Sequence, residues 1–443
     1  MTPSRRGLLG GAGLVGLAAA GPAAAAAAAG AKGASPKAGG RPDAAALQAD
    51  LERYFSFRDK ASGGPGDMAS GAWLEEELSR AGYACRRQPF EVPFFEVKQA
   101  SLACGEARAT VIPQAIVAPT GPGGLTAPLR LATPGADLKG AIAVVALPFK
   151  RWVALVDPQV ARPLADAIAR GAAGVVLVTT GPTGEAIALN VSTHRPAVER
   201  PVAILAPKDA APFLAAAAEG RSATLTVDGT GGGAKRRGAF NLIARLDRKA
   251  PKTLIISTPR SGWFGCAAER GSGLAIWLWL ARNLARTTRG VNIELLATSG
   301  HEYEYLGGEL YLEHEAPPPA ATKLWVHIGA SAAARDWHEF GPRLLPLPSA
   351  ESQRFLTATA DILPATRRAF HGVAGLEATY LADKVMAGGE LVNVLDAGYR
   401  TAIGLYGGHR YFHTRGDDMR CVSGELVEPV AAAFRAAIAA GLS

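Results

Sequence analysis

Cysteine is scarce in this sequence, with 4 in 443 residues, which excludes a small scaffold held together by disulfides. Charge is also sparse. Only 19% of residues are charged while 48% are hydrophobic, so the bulk of the chain cannot be a disordered polyelectrolyte. Aromatic residues make up 7%, and the formal charge of +8 is spread along the chain rather than gathered. No Lys/Arg block with interleaved aromatics is present, so charge alone does not imply nucleic acid. After residue 30 no 18-residue apolar stretch lacks a charge, so stable membrane insertion of the mature protein is not expected. A Gly-x-Ser-x-Gly elbow, a P-loop and a Cys-x-x-Cys pair are all missing, and with them the usual signatures of several enzyme classes.

What is present begins with an address. Ser4-Arg5-Arg6 precedes Gly7-Leu8-Leu9, and ten of the twelve residues Ala18–Ala29 are alanine. Basic, then apolar, then small residues with repeated A-x-A sites resembles a twin-arginine export signal. Residues 1–40 are therefore expected to be signal and linker, with the mature protein periplasmic or extracellular. The competing reading is a retained anchor, because the uncharged run is long enough to span a bilayer. Export permits a disulfide among Cys85, Cys104, Cys266 and Cys421, and four buried thiols is the alternative.

Periodicity predicts helices over 43–58 and 66–82, then a strand over 83–98. From 105 to 232 short apolar runs alternate with Gly and Pro, among them Ala141–Leu147, Gly174–Val178 and Val202–Leu205. Helices interleave near 162–171 and 209–219, giving a self-contained α+β unit. The Gly/Lys/Arg stretch Gly229–Gly238 reads as a return linker. Residues 239–443 alternate strand and helix, with strands at Thr253–Thr258, Val291–Thr298, Lys323–Ile328 and Thr401–Leu405 and helices at Gly273–Thr287 and Leu426–Ala440. That pattern predicts an α/β fold, a mostly parallel sheet flanked by helices. Sites in such sheets lie beyond the carboxyl ends of strands, which directs attention to segments 258–270, 299–305, 329–338 and 406–417.

Those segments carry an ordered set of motifs. They are Asn241-Leu242-Ile243-Ala244, Glu269-Arg270-Gly271-Ser272-Gly273, Gly300-His301-Glu302 with Leu306-Gly307-Gly308, and His413-Thr414 with Asp417. Together they resemble the exported zinc aminopeptidase, glutamate carboxypeptidase and glutaminyl cyclase family. The 105–232 unit resembles the protease-associated domain often inserted in exported hydrolases. The resemblance implies an aminopeptidase-like domain at 41–104 and 233–443 interrupted by that insert. It also implies two zinc ions on five ligands, and here the sequence departs. Proline falls at 259 where the first histidine belongs, and glycine at 329 where an aspartate belongs. The resemblance thus leaves Glu269, Glu302 and His413 as ligands of a single zinc ion. His301 stands at the position of the catalytic base, and Arg260 beside the vacated site suggests an anionic ligand. His327, Asp336, His338, Glu390, His409 and Tyr411 are further polar candidates on site segments.

Three readings follow. One is a single-zinc hydrolase or acyl-transfer enzyme acting on peptides or small amides. Another is a metal-free pseudo-peptidase that binds ligands or partners, favoured if Arg270 occupies the space between the carboxylates. The third is a metal-free acid–base enzyme using His301, Glu302 and Arg260.

Overall fold

In the computed structural model the described residues are 40–114, 116–193, 198–341, 343–383 and 385–443. The export signal expected at the N-terminus lies outside them apart from its last residue. No helix among the described residues is long and apolar enough to cross a membrane.

Leu47, Leu51 and Tyr54 recur at helical spacing and bury one face of α1 (Ala44–Ser56), whose first turn is capped by the Asp43 side chain accepting from Ala45 N. After the Gly63-Gly64 turn, Pro65 opens α2 (Pro65–Arg80), where its missing N–H costs nothing. The chain then enters β1 (Ala84–Cys104) and β2 (Ala107–Gln114). Next come β3 (Leu125–Leu131), β4 (Ile142–Leu147), α3 (Pro158–Ala169), β5 (Gly174–Thr179), β6 (Val202–Leu205) and α4 (Ala211–Glu219). The return strand β7 (Ser222–Leu246) pairs antiparallel with β1 over most of its length, from Ala84↔Arg245 to Ala103↔Thr224. Pairing runs β1-β2-β6-β5-β4-β3-β7 and back to β1, so the insert's sheet closes on itself. Closure removes free edges. Gly229–Gly238, expected as a linker, is part of β7. It pairs with β1 from Val97↔Gly229 to Glu91↔Gly238.

The remainder is the α/β layer the alternation predicts. β8 (Thr253–Pro259), β9 (Asn292–Thr298) and β10 (Thr322–Ile328) are followed by the hairpin β11 (Arg335–Phe340) and β12 (Arg343–Ala350). β13 (Arg354–Ala358), β14 (Thr379–Leu381) and β15 (Ala402–Gly407) complete the sheet. Its order is β7-β9-β8-β10-β15-β13-β14, with β9, β8, β10 and β15 mutually parallel. β8 and β9 are buried at every residue, as strands covered on both faces must be. α5 (Gly271–Thr287) and α9 (Gly424–Leu442) pack with α1 and α2 on one face, through Leu274, Trp277, Leu278, Val430 and Phe434. On the other face, α6 (Leu306–His314) contributes Tyr311 and α8 (Leu391–Asp396) contributes Leu391 and Val394 to a second core with Trp325. The short α7 (Leu363–Ala369) follows β13. Parallel order puts the ends of β8, β9, β10 and β15 on one rim, where the chemistry-bearing segments meet.

Candidate active-site cleft

Glu269 and Arg270 immediately precede α5. Arg270 Nη2 lies 2.9 Å from Glu269 Oε1 and 3.4 Å from Glu302 Oε1, and all three side chains are buried. The Arg270 Nε also donates to Ser261 O at 2.7 Å, which fixes the guanidinium between the carboxylates. Glu302 follows β9, and its Oε2 accepts from Ser62 at 2.7 Å and from Ser261 at 2.8 Å. His413 follows β15. Its Nδ1 is 2.9 Å from Ala188 O, and its Nε2 is 3.3 Å from Glu269 Oε1. Burial alone would raise the Glu269 carboxyl, but Arg270 and His413 beside it hold it down to about 2. Burial would lower Arg270, and the two carboxylates overcome this and raise it. Asp417 anchors the loop before α5, accepting from Ala268 N at 2.8 Å and Glu269 N at 3.0 Å.

A second group lines an open cleft of about 320 Å³ beside this buried cluster. His301 Nδ1 is 3.0 Å from Glu390 Oε1, which also accepts from Thr298 at 2.6 Å. His327 Nδ1 is 3.0 Å from Ser257 Oγ, and its Nε2 has no hydrogen-bond partner. Burial pushes both imidazoles toward the neutral form, His301 well below its usual range and His327 to about 4. Tyr305, Phe355, Tyr406 and Phe412 form apolar wall around them. A larger cavity of about 570 Å³ lies in the insert, lined by Leu164, Ile168 and Val202.

Arg260 does not enter the cleft. It is wholly buried, 3.1 Å from Asp67 of α2, and its guanidinium lies over the Phe240 ring with its centre 4.3 Å from the centroid. Asp67 supplies the counter-charge that a ligand was expected to bring, so the anionic ligand inferred from Arg260 loses its basis. Asp336 and His338 lie on the β11–β12 hairpin, and the cleft's lining residues do not include them. Each of Cys85, Cys104, Cys266 and Cys421 is a free thiol.

The backbone here is strained. Cys266, Glu304, Tyr305, Ser331 and His413 all have positive φ, between 37° and 71°. Each costs on the order of 1–3 kcal/mol for a non-glycine residue. Such costs concentrate where side chains must be aimed.

Solved structures share this architecture. A zinc aminopeptidase from Bacillus subtilis matches with TM-score 0.69 at 18% identity, over 89% of this chain and 94% of its own. An aminopeptidase from Aneurinibacillus sp. strain AM-1 matches with TM-score 0.63 at 16% identity, over 90% and 93%. A peptidase M28 precursor from Shewanella amazonensis SB2B matches with TM-score 0.64 at 17% identity, over 90% and 93%. No family model and no curated protein sequence matches the chain. The chain has the aminopeptidase fold.

The zinc pair that the sequence resemblance implies does not fit the donors at the positions mapped to it. Pro259 and Gly329, at the ends of β8 and β10, carry no ligand atom. A guanidinium already stands between Glu269 and Glu302. Among the described residues, the one group of three potential ligands whose atoms all lie within 4.8 Å of one another is His409, Asp417 and Cys421. His409 Nε2 lies 3.4 Å from Asp417 Oδ1 with no hydrogen-bond partner, while other atoms of the group are engaged. His409 Nδ1 contacts Ser331 at 2.9 Å, both Asp417 oxygens accept backbone N–H groups, and Cys421 donates to Gly416 O.

Sequence reasoning singled out Glu390 only as a polar loop residue. Its partnership with His301 comes from the residue before α8 meeting Thr298 at the end of β9, a long-range relation with no local signature. Ser62, Ser261 and Ser257 were missed altogether, because a lone serine carries no sequence signal.

Proposed function

We propose that the chain is a metal-free pseudo-peptidase that binds a peptide or small amide in the cleft of an aminopeptidase scaffold. The carrying observation is Arg270, whose guanidinium sits 2.9 Å from Glu269 and 3.4 Å from Glu302 with no solvent exposure. A fixed organic cation there pairs with both carboxylates that a divalent ion would need. The insert at 105–232 reads as a protease-associated domain bordering the cleft, since Val153 and Asn190 from it line the same cavity as His301. The twin-arginine-like start reads as an export address.

One observation favours a single-zinc hydrolase or acyl-transfer enzyme as a second reading. Both Glu269 oxygens and His413 Nε2 lack a hydrogen bond of good geometry. Metal analysis of the full chain refolded with zinc separates the two. Less than about a tenth of an equivalent, with no change in thermal midpoint on chelation, supports the pseudo-peptidase. About one equivalent, lost in Glu269→Gln, supports the zinc enzyme.

A further inference from the structure

The two imidazoles of the cleft are unequal. Ser257 Oγ accepts the Trp325 indole N–H at 2.9 Å, and its own proton has one acceptor among its partners, His327 Nδ1 at 3.0 Å. The ring proton of His327 therefore sits on Nε2, which is buried and unpartnered on a residue that lines the cleft. Glycine flanks it at two positions. A Cβ on Gly329 would lie 3.2 Å from that nitrogen and one on Gly389 would lie 3.5 Å from it. His301 has the opposite polarity. Glu390 Oε1 already accepts from Thr298 and offers no proton, so His301 Nδ1 is the donor and Nε2 is left as an acceptor. The cleft lining thus holds one donor and one acceptor.

Charge is already spoken for. Glu302 is held by Ser62, Ser261 and Arg270, and Glu390 Oε1 by Thr298 and His301. At the rim, Arg151 donates to Gly408 O and pairs with Glu351 at 3.3 Å, so it is not a free anion receptor. Arg270 opposes further positive charge near both imidazoles, with Glu302 acting against it at His301 and Glu390 at His327.

Building on the metal-free reading, we propose that the cleft recognises an uncharged carboxamide, with His327 Nε2–H donating to the amide oxygen and His301 Nε2 accepting the amide N–H. Phe355, Tyr406 and Phe412 take the attached apolar group. A free α-ammonium or a carboxylate terminus is disfavoured.

The test is calorimetric titration of the full chain with 3-phenylpropanamide, the corresponding methyl ester, the corresponding acid, and phenylalaninamide with its free ammonium. The neutral amide is expected to bind most tightly. The ester leaves His301 Nε2 unpaired and is expected to bind about tenfold or more weakly. His301→Leu is expected to weaken the amide and bring the amide and ester to within about twofold, while His327→Leu weakens both. Should a leucine variant fail to fold, the wild-type ligand series decides alone. Tightest binding by the acid or the ammonium compound, equal binding of amide and ester, or no saturable binding below about 10 mM overturns the proposal. Zinc content of the same sample separates the two readings. Bound zinc with turnover of the amide overturns the metal-free reading, whereas no zinc and no amide preference overturns only this one.

Discussion

Glu390 Oε1 lies 3.0 Å from His301 Nδ1 across 89 residues of sequence, and the contact sets which ring nitrogen of His301 faces the cleft. Thr298 donates to the same oxygen at 2.6 Å. Glu390→Leu removes the shared acceptor and strands two buried donors, each worth about 1–3 kcal/mol when unsatisfied. Glu390→Gln retains a carbonyl oxygen that accepts both. Urea denaturation is expected to show a loss of several kcal/mol for the leucine variant and a loss near 1 kcal/mol for glutamine. Equal losses would mean that the hydrogen bonds are not what holds Glu390 in place.

Arg270 is a charge that the buried site cannot release without consequence. Arg270→Met leaves Glu269 and Glu302 facing each other with no exposure to water and is expected to cost about 3–5 kcal/mol. Adding Glu269→Gln to it is expected to recover part of that loss, because one uncompensated carboxylate is removed. The methionine variant is also expected to gain thermal stability from added zinc while the wild type does not, since the carboxylates and His413 then face a space without a guanidinium. Differential scanning calorimetry with and without zinc checks this. A zinc response in the wild type would contradict it.

The sheet was legible in the sequence because its strands obey rules that need no partner to be known. Val202–Leu205 and the β8 and β9 runs are short, apolar and bounded by turn residues, and the structure has strands there. Gly229–Gly238 misled because glycine and charge in a row signal a linker, whereas pairing with β1 satisfies its backbone regardless of side chain. The hairpin at Arg335–Ala350 escaped for a related reason, since its residues are mixed and Pro346 and Pro348 interrupt the pattern. At the site, strand-end logic pointed to segments 258–270, 299–305 and 406–417, and the resemblance named Glu269, His301, Glu302 and His413 within them. It missed the direction of Arg260, because position beside a strand end does not say which face a side chain takes. The outcome for Arg260 was set by Asp67, nearly two hundred residues upstream.

Arg260 and Asp67 give a control on that point. Both are wholly buried, and the guanidinium also donates to Phe240 O at 2.8 Å and Ala297 O at 3.1 Å. Arg260→Met is expected to destabilise by about 3–5 kcal/mol through the stranded Asp67 charge. Ligand affinity of the folded fraction should stay within about twofold, because nothing in the cleft touches this pair. Thermal denaturation and titration on one preparation separate the two effects. An affinity loss of tenfold without loss of stability would return Arg260 to the binding machinery.

Acid should reveal His327 through stability. Burial lowers its folded value to about 4, with Glu390 opposing that shift and His301 and Arg270 reinforcing it. The unfolded chain takes up a proton on this ring near pH 6.5, and the folded protein does not until about pH 4. Between those values the unfolded state binds more protons, so stability falls as pH falls, by about 1.4 kcal/mol per unit for this group. The contribution is complete above pH 6.5 and exhausted below 4. His327→Gln keeps an N–H donor toward the cleft and removes the titration. Urea midpoints from pH 7 to pH 5 are therefore expected to drop more steeply in the wild type, the gap widening by about 2 kcal/mol over that range. Parallel curves for the two proteins would show that His327 titrates in the folded state much as it does in the unfolded chain, and that it is not held neutral behind Gly329 and Gly389.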